Sequence, residues 1–450
     1  MVNVHTSIRP FYFVLKVFGL FPFSYEGNYK NEILKEKPLD VVMTCLAISF
    51  YIFLLFWNVV MAKELKSTSK IIGMAWSISL LLFLSLMLIS AFYQIFKRKS
   101  IRKFLNLLDE FDQIVSNSWL DLIWSLSNLF ILKTKTIELR VNYSKHRKDV
   151  VALMTVVFFL FSFCVFTFPI ILFWIGTRDA SEILKTISFG LVLLFMCVYV
   201  LQFAFAGLAL AARFQLLNTY LRWLKLTYKF KILAFYVFFS QCIVCNTGYI
   251  LFFSEQKLNF GTFLKAHQKL CDGIDMVNST FTLHLASILI DIIIIKTFSF
   301  YGVLWELMSG SNSQDITIVQ YSFWLTVIYI LQIIICFVGS SVAENAKETN
   351  IIVSKIINES VFDDEITLNL QNFINRANCR NFNLQNSFFT MNWKLLVQVS
   401  TTKFWNLKSK TFHFMIAGHC NYCHLLNHHV SIWTKQCLRS AVEWRGHWFI

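Results

Sequence analysis

Apolar residues recur in runs long enough to cross a bilayer, separated by polar stretches whose own apolar residues fall at helical spacing. Six runs, at about 41–62, 71–96, 150–175, 186–212, 282–304 and 318–342, each reach the ~18–20 residues that span a hydrocarbon core. A seventh begins near 388, in NSFFTMNWKLLVQ, and its pattern breaks after Gln398. The alternation over ~10-residue segments that marks a transmembrane barrel is absent. Only 4 prolines and 14 glycines interrupt the chain, which favours long helices. The pattern predicts an all-α polytopic membrane protein, a seven-transmembrane-helix bundle (41–398) whose final helix, 388–398 onward, is incomplete or atypical.

Two of the polar stretches carry a helical stripe of their own. KRKSIRKFLNLLDEFDQIV places Phe104, Leu107, Leu108, Phe111 and Val115 on one face, with Lys, Asp and Glu opposite. FLKAHQKLCDGIDMVNSTF does the same with Leu264, Leu270, Ile274 and Val277. Such a stripe must be buried on something: either these helices simply extend the spans, or they form an anchor where subunits meet. In residues 1–40 the apolar run from Phe11 to Phe23 is broken by Lys16 and Pro22 and lacks a small-residue cleavage site, so it is no secretory signal. It predicts a short interfacial helix in a cytoplasmic N-terminal segment.

Composition agrees with the pattern: 56% of the residues are apolar and 15% charged, too few charges for a soluble surface of this length. The net charge of +15 raises nucleic acid as a partner, but no finger, RNP-like or phosphate-loop motif accompanies it. Its placement points to topology instead. With the N-terminus inside, the inner segments of a seven-span chain hold 28 Lys and Arg and the outer ones 5. The excess marks the cytoplasmic side and sets the N-terminus there. A further apolar run at 230–253 is hydropathic enough to span. If it did, Lys257, Lys265 and Lys269 would fall outside and the uncharged 305–317 loop inside, so charge argues against it.

Candidate chemistry is sparse. Asp291 and Lys296 lie within the fifth span, where charges are expensive and face protein, water or each other. Five residues apart is ~500° of helix, so they diverge by about 140° and no direct pair is expected; interhelical bonding and a face on a ligand cavity are both open. Aromatic and polar residues in the outer halves of spans form a candidate ligand pocket: Trp76, Ser77, Phe168, Trp174, Tyr199, Gln202, Tyr301 and Trp305. With 17% aromatic residues, each has a packing or interfacial-belt alternative. The eleven cysteines sit mostly singly within spans and form no disulfide framework. HCNYCH, His419 to His424, lacks the second ligand pair of a structural zinc site, so no metal is expected. No catalytic constellation is recognisable and no cofactor is implied. Three sequons, at Asn142, Asn278 and Asn358, fall on the inner side and are expected to carry no glycan.

Four stretches resemble the insect gustatory receptor family, seven-span, N-inside relatives of the odorant receptors. They are KVFGLFPF (Lys16 to Phe23), FLKAHQKLCDGIDMVNSTFTLHL with His267, Leu270, Asn278 and Phe281, AENAKET (Ala343 to Thr349), and NSFFTMNWKLLVQ. The resemblance covers about 1–228 and 255–398. It implies a ligand-gated, non-selective cation channel subunit, assembled as a homo- or hetero-tetramer with other gustatory receptor subunits in the plasma membrane of a sensory neuron. It further implies a small-molecule tastant, of bitter type since sugar and carbon dioxide hallmarks are missing, bound among the outer halves of the helices. The seventh helix would line the pore, placing Phe388, Phe389, Asn392 and Trp393 at its start.

The family ends that helix as TY, five apolar residues, then QF, whereas this chain reads VSTTKFWNLKSKTFHF from Val399. Val399-Ser400 can be encoded by GTAAGT, a splice-donor consensus, and Phe252-Phe253-Ser254 with TTTTTCAG, an acceptor tract. Residues 229–254, an apolar insert, and 399–450, a His-rich tail, are therefore suspected translated introns. The alternatives are a polytopic small-molecule transporter, which would show internal repeats and broken helices, and a non-functional product of a mis-spliced gene.

Overall fold

In the computed structural model, residues 37–62, 70–129, 151–156, 180–241, 260–309, 314–359, 364–385 and 389–395 are described, together with 148, 159, 162 and parts of 12–35. The chain divides into two units, Met1–Trp393 and Lys394–Ile450. The second is described only at 394 and 395.

Among the described residues six helices carry the first unit: α1 Pro38–Ala62, α2 Lys70–Leu129, α3 Ala180–Gln241, α4 Phe260–Ser309, α5 Gln314–Glu359 and α6 Asp364–Asn378. Residues 151–156 of the expected third span are also helical. α2 and α3 run 60 and 62 residues, roughly 90 Å at 1.5 Å per residue and about three times the hydrocarbon core. α2 and α4, the latter 50 residues long, each hold a span together with the amphipathic stretch beside it, so spans two and five continue into those stretches without a break. α3 likewise stays helical through 229–241, so the backbone is continuous into the suspected insert. Three stretches among the described residues, Leu193–Leu226, Gly261–Thr297 and Ser322–Glu359, are long and apolar enough to cross a membrane.

α3 is the central element, packing on α5, α4 and α2. α2 lies along α4, where Phe104, Leu107, Leu108, Phe111 and Val115 are all buried, as are Leu270, Ile274 and Val277 facing them; Leu264 is half-buried. The two stripes thus cover one another within a single chain. At Gly273, α4 comes close to both α3 and α2, since a Cβ there would lie 2.9 Å from Leu210 and 3.4 Å from Leu107. By contrast α1 exposes Val42, Leu46, Phe50 and Phe53 along one face, an apolar stripe that water would not tolerate and lipid would.

The N-terminal segment departs from the interfacial helix expected of it. Tyr12 and 14–16 are helical, Gly19 turns the chain at φ +66°, and β1 Ser24–Glu26 pairs antiparallel with β2 Ile33–Lys35, the one strand pair among the described residues. Leu15, Phe21 and Phe23 are buried in protein rather than at a lipid surface. Two properties of Gly19 explain the KVFGLFPF motif: only glycine adopts that φ without strain, and a Cβ would meet Ala47 at 2.8 Å. The Tyr51 hydroxyl then donates to the Phe18 carbonyl at 2.9 Å. Lys16 reaches Asp40 at 2.6 Å, and Asp40 accepts from Ser24 and from the Lys37 amide at the start of α1. Burial alone would raise the Asp40 carboxyl, but these donors more than offset it and hold it below its ordinary range.

Candidate functional site

The polypeptide that approaches the expected seventh helix is gripped by three others, and each grip uses a residue type that geometry demands. After α6 the chain closes a short loop, with the Met391 amide donating to the Leu384 carbonyl at 2.8 Å and Gln385 bridging Thr390. Leu384 and Met391 are both fully buried. They seat in a notch made by two glycines on facing helices. A Cβ on Gly207 of α3 would overlap Val338 and come within 3.3 Å of Leu384. A Cβ on Gly339 of α5 would overlap the Met391 carbonyl oxygen and lie 2.7 Å from its carbonyl carbon.

The third grip comes from α4. Asn278 donates to the Asn383 carbonyl at 3.2 Å and accepts from the Gln385 amide at 2.9 Å, a pairing that needs an amide with one donor and one acceptor. Earlier in the same helix, His267 is packed between Phe373 of α6, at 4.6 Å between ring centroids, and Phe382, at 5.9 Å. Burial, with the Arg380 charge adding to it, pulls the His267 imidazole down to about 4, so it sits there neutral as an aromatic filler. His267, Leu270, Asn278 and Phe281, singled out in the sequence, pack against or bond neighbouring elements; Phe281 stacks edge-on against Phe203.

AENAKET also proves to be a clamp. It lies inside α5, where Ala343 and Ala346 are buried and allow α3 to approach. Asn218 of α3 donates to the Asn345 carbonyl at 2.8 Å and to Glu348 at 3.2 Å, and accepts from the Thr349 hydroxyl at 2.6 Å. Arg222 pairs with Glu348. On the other side of α3, Arg213, 1% exposed, makes two bonds to Asp112 of α2, at 3.1 and 2.7 Å.

The candidate pocket residues fare unevenly. Phe168, Trp174 and Phe388 lie outside the described residues, and Trp76, Ser77, Tyr301 and Trp305 are described as helix backbone only. Tyr199 and Gln202 are buried. The Tyr199 ring lies 4.9 Å from His284, in the first turn of the fifth span as read from sequence. Gln202 lines a cavity of about 30 Å³ with Phe104, Leu105, Val277 and Thr280, at the level of the two amphipathic stretches. That volume holds about one water molecule. Leu193–Leu226 is apolar throughout, and its most apolar window is almost wholly buried in protein.

Asp291 and Lys296 do not pair. Asp291 is buried, while the Lys296 ammonium donates to the Gln332 side-chain carbonyl of α5 and lies 3.6 Å from the Tyr329 ring centre. Of the seventh-helix residues, Phe389 and Asn392 are half-buried and Trp393 is exposed; a helical turn starts at 393. No group of His, Cys, Asp or Glu suited to a metal occurs among the described residues. Gly207, Gly339, Asn218 and Gln332 escaped the sequence reading. The small-residue run Gly339-Ser340-Ser341 at the end of an apolar span was the available sign of close helix approach.

Comparison with known proteins places this architecture. The chain resembles the insect olfactory receptor OR5 from Machilis hrabei, with a TM-score of 0.58 at 12% identity over 93% of this chain and 99% of that one. The same receptor in complex with eugenol gives 0.57 at 11%, over 88% and 95%. Identities this low establish a shared fold alone. No curated protein matches the sequence. The family model described as 7tm Chemosensory receptor matches residues 8–407, ending near the break expected after Gln398. The chain belongs to the 7tm chemosensory receptor family.

Proposed function

We propose that the protein is a gustatory-type receptor: a subunit of a tetrameric, ligand-gated, non-selective cation channel of the plasma membrane, with a cytoplasmic N-terminus, that detects a small organic tastant of bitter type. The observation that carries this reading is the grip of α3, α4 and α5 on the loop before the seventh helix. A ligand that binds one arrangement of those helices more tightly than another shifts the population between them. Through Gly207, Gly339 and Asn278 such a shift moves the start of the seventh helix, which the family resemblance assigns to the pore. The tastant is placed among Trp76, Ser77, Phe168, Trp174, Tyr301 and Trp305. Tyr199 and Gln202, both buried, complete that set.

The test is whole-cell recording from cells that carry the protein at their surface, challenged with a panel of small organic compounds. The expected result is a saturable inward current carried by both sodium and potassium. Surface protein with no evoked current across the panel would overturn the channel reading. Since a pore needs a seventh helix that crosses the membrane, we also read 399–450 as retained intron, and 229–254 likewise. Transcript sequenced across the codon of Gln398 is expected to leave the genomic frame there; a transcript continuous through both regions favours the product that forms no pore.

A further inference from the structure

Lys296 and Gln332 face one another across the α4–α5 seam in the apolar part of both helices, and their hydrogen-bonding capacities do not cancel. The ammonium offers three donors and no acceptor. Its hydrogen-bond and ring partners among the described residues are the Gln332 carbonyl and the face of Tyr329. No carboxylate among the described residues lies within ion-pair reach of it; Asp291 is on the same helix but turned about 140° away. The Gln332 amide must present its oxygen to the ammonium, so its nitrogen is fixed as a second donor beside the cation. That nitrogen is buried, with the whole residue 0% exposed, and finds no acceptor among the described residues. One helical turn beyond Lys296, the Ser299 hydroxyl is equally buried and also finds no partner among them. An uncancelled cation at such depth is costly, and so is a buried amide donor without an acceptor. A group with two acceptor oxygens and a negative charge satisfies both at once. Around them Ile292, Ile295, Ile328, Leu331 and Ile335 are buried, which suits an apolar body on that group.

We infer that the Lys296–Gln332 pair is a recognition site for an organic carboxylate, a compact acid or a fatty acid, whose anion bonds the ammonium and the Gln332 amide together. This deepens the proposed function by naming the charge of a ligand, and it rests on that reading only for the claim that binding opens a channel.

The experiment therefore reads binding and current separately. Full-length protein purified in neutral detergent is melted with benzoate, with octanoate, and with benzyl alcohol as the uncharged counterpart. Benzoate or octanoate is expected to raise the melting temperature saturably, and benzyl alcohol to raise it far less. A response to octanoate alone assigns the site to fatty acids supplied by the bilayer; a response to benzoate assigns it to compact acids from water. Lys296→Met is expected to weaken the acid at least tenfold and Lys296→Arg to retain it. Gln332→Leu, which keeps the cation, is expected to weaken it by a smaller factor and serves as the reporter if Lys296→Met does not fold. Equal stabilisation by acid and alcohol, or acid binding untouched in both variants, overturns the inference. Currents evoked only by uncharged compounds would leave the channel reading standing and remove this one. Lys296-dependent acid binding without current would do the reverse.

Discussion

At Gly339 two effects of a single methyl group oppose each other, and their sizes decide the outcome. Within a helix, replacing glycine by alanine ordinarily stabilises by about 1 kcal/mol. Here the new Cβ would overlap the Met391 carbonyl oxygen. Overpacking costs about 1–3 kcal/mol, toward the upper end when the obstructing atom is backbone and has no rotamer to escape into. Gly339→Ala is therefore expected to lower the melting temperature of the purified protein, with a net loss of about 1–2 kcal/mol, and to expose the segment around Met391 to protease. Shortening Met391 should not relieve it, because the clash is with the main chain. A rise in melting temperature would mean that the loop does not lie against α5. The small-residue run Gly339-Ser340-Ser341 was the one local sign of this; which segment approaches is a property of two stretches about 50 residues apart, and no local pattern records it.

Between elements, the Arg213–Asp112 pair joins α2 to α3 with the two partners unequally buried: Arg213 is 1% exposed and the Asp112 side chain 20%. Breaking a buried pair is costly because it strands the remaining charge, by about 3–5 kcal/mol where that charge is fully buried. Asp112→Leu takes the carboxylate from the deeper charge, which keeps its bond to the Ala209 carbonyl, and should cost up to that much. Arg213→Met leaves a carboxylate that reaches water and should cost about half as much. The double variant should recover most of the loss, since two apolar side chains need no partner. Unfolding in denaturant for the three variants checks the order, and equal losses for both single variants would refute it. The elements themselves were largely legible. Stripes at helical spacing mark what a helix buries, so Phe104 to Val115 and Leu270 to Val277 were identified correctly. The identity of their cover was not, because an apolar stripe fits a neighbouring subunit as well as the chain's own α4. The protein surroundings of Tyr199 and Gln202 were not legible for the related reason that lipid and protein core select the same residues.

For the whole molecule, length and charge together give the topology its test. α2, α4 and α5 run 60, 50 and 46 residues, each far beyond the ~20 that the bilayer requires. Their surplus ends carry Lys and Arg and pack on one another through the α2–α4 stripes and the α3–α5 clamp, so all of them lie on one side of the membrane. We propose, from the basic excess, that this side is the cytoplasm. A natural reporter stands there already: Asn358, in the sequon Asn358-Glu359-Ser360, is exposed near the end of α5. The expected result is an Asn358 without glycan, an N-terminal epitope stained only after permeabilisation, and an epitope inserted at Gly310 stained on intact cells. The reverse pattern would turn the molecule over in the membrane. The surplus ends would then face outward and the short loops inward, against the distribution of 28 basic residues to 5. The helix packing would survive that inversion unchanged, and the family membership with it. The grip on the seventh helix would then act from the outer face, and the channel proposal would have to be rebuilt from that side.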